Sequence, residues 1–599
     1  MNAARMENQD LPIKHRQIPT LPNRPRAHPI AGRLWRSYPV GRQSFTRACQ
    51  GRALTLTLTT EQPLPTNIQV SLLTTLNSNP DDVWDKVPFV PTGDKTLTCC
   101  IVPEHPGLHS FRAGFSLDGG ETWIPDTVPD AQVLIDPPQV DALRVYTLIP
   151  TVSGTLADWK ADLKRIREMG FNAIHLLPIT AMDTSQSPYA ASDLFDVDRS
   201  YLPEGSQQTG LSQLDEYVEE AKALGVRLCF DLVLNHVGVD STIARRAPDW
   251  IVQDQDQPDG LRRARYWCDD AWRSWDDLVL INYEHPSEAV RSEIRAYMID
   301  YALFWAKYAN DTGGFVRFDN LHSSDPEFIQ TLTDTLHEEY PELGLLAEYF
   351  KDEHTLLETG PRWGLNLLLA SPWGYKYVPQ LRDYLNYIHR VSECIRYFMP
   401  ITSHDSGAPA QEFGSADSTA PRYVAAALLG TGATGIPQGV ELGEASRIDF
   451  IGRQPRMAFP ANPRFAEFIG RVNAILAENP AFRRGQNCRF VDGGHTAIVA
   501  AFRCENGNKA PGFLVVCNFD IYASQSITVD LTSFLGTDGP FAAEELLGCE
   551  AKVFPGPRMD LSLPPCGVQV LRFLGNGGST SPIQLVTSAI PLTPTLEES

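Results

Sequence analysis

The chain is short of positive charge. Its 51 Lys and Arg stand against 73 Asp and Glu, and the net charge of −22 argues against a nucleic-acid partner and against an anionic membrane surface. No apolar run approaches the ~20 residues that a membrane-spanning helix needs. The N-terminal stretch carries Lys, Arg and Pro without an apolar core, so no secretory leader is expected. The eleven cysteines are scattered, with only Cys99 and Cys100 adjacent, and none has the paired C-x-x-C spacing of a metal site. They read as reduced thiols of a cytoplasmic protein, with neither metal nor cofactor expected. A glycine-rich phosphate fingerprint after a strand is also missing, and so is any repeat of solenoid period. What remains is a globular composition, 43% hydrophobic and 21% charged, long enough for several domains. This charge balance fits an uncharged ligand, and equally fits nothing more than solubility.

The texture changes along the chain. Residues 1–30 are polar and Pro-rich (Pro19, Pro22, Pro25, Pro29), which predicts a disordered arm. Over 31–137, short alternating runs such as Ala53–Thr59 and Thr66–Leu72 are separated by turn signals, predicting an antiparallel β-sandwich. Asp136-Pro-Pro138 marks a boundary. Over 138–482, strands and amphipathic helices alternate, which implies a parallel sheet. Strand candidates are Val145–Ile149, Phe171–Ile179, Arg227–His236, Phe315–Phe318, Leu343–Glu348, Gly364–Leu369, Arg396–Thr402 and a stretch within Thr431–Leu442. Eight such units predict an α/β fold of the closed (β/α)8 TIM-barrel type rather than an open doubly wound sheet. Residues 483–575 return to short strands, predicting a C-terminal β-sandwich, and 576–599 are Ser, Thr, Pro and Gly-rich and read as a disordered tail.

Barrel strands are apolar on both faces, so charges belong at their C-terminal ends, where barrels carry their sites. The stretch Gly313-Gly-Phe-Val-Arg-Phe-Asp-Asn-Leu-His322 delivers Arg317, Asp319 and His322 at such an end. Arg317 and Asp319 are two residues apart, so in a strand both point to one side, and the Arg is expected to keep the Asp ionised. The third strand ends in Asp231, Asn235 and His236, the fifth in Glu348, and the seventh in His404 and Asp405. Retaining glycoside hydrolysis needs one carboxylate as nucleophile and a second as proton donor. Asp319 beside Arg317 suits the first task. Glu348 follows an apolar Leu-Leu-Ala run, which is expected to raise its pKa and suit it to the second. Asp405 is placed to grip sugar hydroxyls. The aromatic segment Tyr266–Trp275 offers either a wall for sugars to stack on or packing for an inserted lobe.

Asp231-x-x-x-Asn-His236, Gly314-x-x-Arg-x-Asp319, Glu348 and His404-Asp405, in this order on these strands, resemble the four signature regions of the α-amylase superfamily. Ser187-Pro-Tyr189 resembles that family's loop after the second strand, and Gly435–Gly443 its eighth-strand signature. The resemblance covers about 142–445. It implies that Asp319 is the nucleophile, Glu348 the general acid/base and Asp405 the transition-state stabiliser. It further implies that Tyr189, His236, Arg317, His322 and His404 hold the substrate, an α-glucan or malto-oligosaccharide. The family usually has two more residues and a Lys-His pair after the nucleophile. The shorter Asp319-Asn-Leu-His322 is similar to the glucanotransferase part of glycogen debranching enzymes and to maltosyltransferases. Ser403 stands where the family has Asn. The expected activity is 4-α-glucan transfer or α-1,4-glucan hydrolysis; the alternatives are maltosyl transfer from a sugar phosphate and a catalytically dead glycan-binding protein.

Overall fold

The computed structural model describes residues 34–37, 45–60, 63–77, 84–125, 131–268, 271–504, 512–536 and 539–573. The arm expected over 1–30 and the tail expected over 576–599 lie outside the described residues. Eight parallel strands close a barrel in sequence order: β1 (Leu143–Leu148), β2 (Ala173–Leu176), β3 (Arg227–Val233), β4 (Phe315–Asp319), β5 (Gly344–Ala347), β6 (Leu367–Leu369), β7 (Tyr397–Pro400) and β8 (Ala433–Pro437). β8 pairs back with β1, from Leu143 opposite Ala433 to Thr147 opposite Pro437.

Successive residues of a strand face opposite sides, and here that alternation sorts the apolar residues into two cores. Val145, Ala173, Cys229, Phe315, Leu346 and Phe398 fill the barrel interior. Tyr146, Ile174, Phe230, Val316 and Phe318 face outwards into the larger core beneath the helices. Arg317 and Asp319 continue the inward series begun by Phe315, Asp231 that begun by Cys229, and His175 that begun by Ala173. The helices obey their sequence signals. Helix Leu156–Glu168 ends before Gly170, whose φ of +78° is left-handed and favours glycine. Helix Pro326–Glu339 starts on Asp325, whose carboxylate accepts the Phe328 N–H at 2.7 Å.

Two β-rich flanks accompany the barrel. Towards the N-terminus, a four-stranded sheet holding Leu54–Thr60 and Thr96–Ile101 packs against a second sheet holding Gln69–Thr74, Gly107–Ser116 and Ala131–Asp136, with Leu56, Leu72, Phe111 and Val133 in the shared core. Towards the C-terminus, a six-stranded sheet built on Ile498–Cys504 and Gly512–Asn518 faces the pair Gln525–Asp530 and Arg558–Leu563. The N-terminal flank is tied to the barrel by buried ions. Asp136 lies 3.3 Å from Arg396 and accepts from the Asn366 amide at 3.0 Å, while Arg47 donates to the Leu365 carbonyl at 2.7 Å. These residues sit where β6 and β7 begin, at the barrel end away from the site, where such contacts serve stability.

One expectation needs correction. The run Arg227–His236 reads as a single strand, but β3 stops at Val233. His236 instead opens a short strand, His236–Gly238, paired with Leu278–Leu280. Polar Asn235 breaks the apolar run, and from there the chain leaves the barrel into a lobe whose hairpin, Arg263–Cys268 with Ala271–Leu280, projects Trp272 and Trp275 into solvent. The Trp275 ring lies against Tyr266 at 4.3 Å between centroids. Among the described residues no helix is long and apolar enough to cross a membrane.

Candidate active site

One guanidinium organises the C-terminal mouth of the barrel. Arg317 Nη1 donates to Asp231 Oδ2 at 2.6 Å and to Asp319 Oδ1 at 3.0 Å, while Nη2 donates to Glu348 Oε2 at 2.8 Å. Three carboxylates from β3, β4 and the end of β5 thus converge on one cation, whose own side chain is only 3% exposed. Glu348 is further fixed by the Asn320 backbone N–H at 3.0 Å, which is aimed at it because Asn320 turns left-handed (φ 44°) just past β4.

Asp231 is the second hub. Its Oδ2 also accepts from His175 Nε2 at 3.1 Å and from the Tyr189 hydroxyl at 3.2 Å. The Tyr189 proton goes to Asp231, so the His404 Nε2, 2.7 Å from the Tyr189 oxygen and 3.0 Å from Asp405 Oδ2, carries the hydrogen that both of them accept. Tyr189 and His404 lie nearly parallel, with centroids 5.8 Å apart and planes 8° apart. Asp405, unlike Asp231 and Asp319, is open to solvent. His236 is buried and bonds Asn235 Oδ1 through Nδ1 at 2.8 Å. His322 is half-buried on the rim, 5.9 Å from the ring of exposed Phe350.

The electrostatics differ from the sequence reading in two respects. Arg317 alone was expected to keep Asp319 ionised. Burial outweighs it, and the like charges of Glu348, Asp231 and Asp405 add to burial, so the Asp319 carboxyl is pushed well above the usual carboxylate range. Glu348 was expected in apolar surroundings; instead it is gripped by Arg317 and a backbone amide. Burial also raises Asp231, but Arg317 first and then His175 outweigh that and hold it below its ordinary value. For Asp405, desolvation is overcome by His404, with Arg317 and Arg447 assisting, and its pKa falls to about 2. Burial keeps His236 neutral, lowering it to about 4. Tyr189 is pushed up by burial and by Asp231, so it stays a hydroxyl donor.

The fold therefore joins Asp319, Glu348, Arg317, Tyr189, His404 and Asp405 in one network, with His236 and His322 at its edges. Sequence reasoning missed His175, although a His at an inward position of an apolar strand was a usable signal. It also missed Asn320, Arg447 and Phe450. Phe450 touches both Tyr189 and His404, at 5.8 and 5.7 Å, from a loop more than 40 residues beyond them in the chain. Glu441 of the eighth-strand signature takes no part in this network; it is buried on the Tyr146 hydroxyl at 2.6 Å and braces the barrel wall.

The site is thus a closed parallel barrel whose third, fourth and fifth strands end in carboxylates drawn together by an Arg on the fourth, with a further carboxylate on the seventh held by His404. The family model described as the glucanotransferase domain of glycogen debranching enzyme matches residues 137–259. An alpha-1,4-glucan:maltose-1-phosphate maltosyltransferase of Rhodospirillum rubrum is 25% identical over 470 residues, 70% of this chain and 63% of that protein. The namesake from Arcanobacterium haemolyticum is 24% identical over 66% of this chain and 60% of its own length. The chain thus spans about three-fifths of the length of these relatives. Among solved structures, a maltogenic alpha-amylase from Thermotoga neapolitana superposes with a TM-score of 0.59 at 17% identity, covering 72% of this chain and 99% of that one. A cyclomaltodextrinase gives 0.59 at 14% identity, covering 91% and 100%. The family model and the maltosyltransferase relatives support an assignment to the α-amylase superfamily, and the solved structures share its fold.

Proposed function

We propose that this protein is a retaining α-glucan-active enzyme that transfers a glucanyl unit through a covalent glycosyl–Asp319 intermediate, and that it works in the cytoplasm, where its free thiols persist. The observation that carries the reading is the single guanidinium shared by Asp319 and Glu348. It holds the two carboxyl groups close together, as retention requires (about 5–5.5 Å, against roughly 6.5–9.5 Å for inversion). Asp319 attacks the anomeric carbon while Glu348 protonates the departing glycosidic oxygen; Glu348 then deprotonates the acceptor hydroxyl that resolves the intermediate. Arg317 balances the charge that moves between the two carboxyl groups. Asp405, anionic and open to the cleft, is suited to sugar hydroxyls, and Tyr189 offers an aromatic face to the ring.

Acceptor and donor identity together separate three versions of this reading. Transfer to a sugar hydroxyl makes a 4-α-glucanotransferase, transfer to water a hydrolase, and use of a sugar phosphate as donor a maltosyltransferase. The names of the relatives favour the last as the second reading. Incubating maltoheptaose with wild type and Asp319→Asn, alone and with maltose 1-phosphate, distinguishes them. Products both longer and shorter than the starting sugar, absent with the variant, are the expected result. Shorter products alone indicate hydrolysis, and elongation only with the phosphate indicates maltosyl transfer. Glucan binding without turnover under any condition reduces the protein to a binder.

The charge network also sets the pH response. Asp319 acts as nucleophile only when ionised, so the acid limb of kcat/KM lies above the ordinary carboxylate range. Asp231 is one of the like charges that raise Asp319. In Asp231→Asn the acid limb is expected to move to lower pH, whatever the loss in maximal rate. A pH–rate profile that keeps its acid limb would contradict the shared electrostatics.

A further inference from the structure

The geometry points to the irregular segment from Glu444 to Phe465 as a strap that ends the cleft on the side of the transferred sugar and so fixes the length of the unit transferred, with Phe450 as its specificity-determining residue. This rests on the reading above. The segment contains no helix or strand, and structureless stretches of such length inside a compact domain are generally functional. It is nevertheless tied down along its length. Gly452 N–H donates to the Gln186 carbonyl at 2.9 Å, Gln454 N–H to the Thr151 carbonyl at 2.9 Å and Met457 N–H to the Val152 carbonyl at 2.8 Å, while Arg447 N–H donates to Gln411 Oε1 at 3.0 Å. Starting after β8, it is thereby fastened to the loops that follow β1, β2 and β7.

Its position relative to the reacting bond follows from the acid. A proton donor stands on the leaving-group side, so the departing sugar lies towards Glu348, His322 and Phe350 on the loops after β4 and β5. The retained sugar extends the opposite way, past Tyr189 and His404. There the strap closes the path. Phe450 is 9% exposed and sets its ring edge-on against both Tyr189 and His404. Ile149, Val152 and Leu177 pack behind it. Arg447 lies over the Phe450 ring at 5.8 Å and donates to the Asp405 backbone carbonyl at 3.3 Å, which anchors the strap to the same loop that presents Asp405. A glucan chain running on beyond these rings meets a wall backed by Ile149, Val152 and Leu177, so the sugar that forms the covalent intermediate terminates here.

The test is the distribution of product lengths from maltoheptaose for wild type, Phe450→Ala and Gln454→Pro. Proline removes the N–H that ties the strap to Thr151 and leaves Tyr189 and His404 untouched. Wild type is expected to add and remove units of one short, fixed length. Both variants are expected to shift the distribution towards longer transferred units, and Gln454→Pro to retain turnover of short donors. A wild type that transfers units of every length overturns the inference while leaving the enzyme reading intact, and so do active variants with an unchanged distribution. A wild type with no turnover on any donor overturns the enzyme reading and this inference with it.

Discussion

Arg317→Met is expected to give a protein that is inactive and markedly less stable at neutral pH, with the defect shrinking as the pH is lowered. Met matches the length of the Arg stem but leaves Asp231, Asp319 and Glu348 facing one another without their shared cation. Breaking a buried ion cluster by deleting one partner costs about 3–5 kcal/mol, because the remaining charges are neither solvated nor paired. Acid relieves the defect by protonating those carboxylates, so thermal melts of wild type and variant should converge as the pH falls. A defect that does not vary with pH would mean that lost packing, rather than stranded charge, is responsible.

Asp319→Asn is expected to do the reverse to stability while destroying activity. Loss of the nucleophile should lower turnover by about 10³-fold or more, since members of a catalytic set fail together when one is removed. Stability should rise. The folded-state pKa of Asp319 stands above its unfolded value of about 3.9. Between those two values the folded protein holds a proton that the unfolded chain has released, so stability falls as pH rises through the window. Asn holds no titrating proton and removes that fall. The melting temperature of the variant should therefore equal that of wild type in acid and exceed it near neutrality. Equal melting temperatures throughout would show that Asp319 is not under electrostatic strain. Two substitutions in one network, at residues 3.0 Å apart, thus shift stability in opposite directions.

Much of this arrangement was legible before any coordinates. Two-residue spacing put Arg317 and Asp319 on one face of β4, and the alternation of Phe315 and Val316 between inner and outer cores shows that this face is the barrel interior. Asp325-Pro326 announced a helix start, and Gly170 a helix end. These signals are local: they depend on φ/ψ preference, side-chain period and the burial of an apolar face, all written in neighbouring residues. The readings that needed correction were of another kind. The expected environment of Glu348 came from the apolar residues before it, but its partner is an Arg 31 positions away. The expected effect of Arg317 on Asp319 counted one neighbour, whereas the pKa reflects burial and three further carboxylates from three other strand ends.

The sequence by itself determined which residue types stand at the ends of which strands, because alternation and apolar runs are short-range facts. Only the tertiary structure decided how their charges add. Closing eight strands into a barrel brings Asp231, Glu348 and Asp405 close enough to buried Asp319 for all three charges to raise its pKa. It also lays the strap bearing Phe450 across a wall formed by residues far away in the chain. Electrostatic coupling and steric closure are set by distance through space, and no spacing along the chain encodes them.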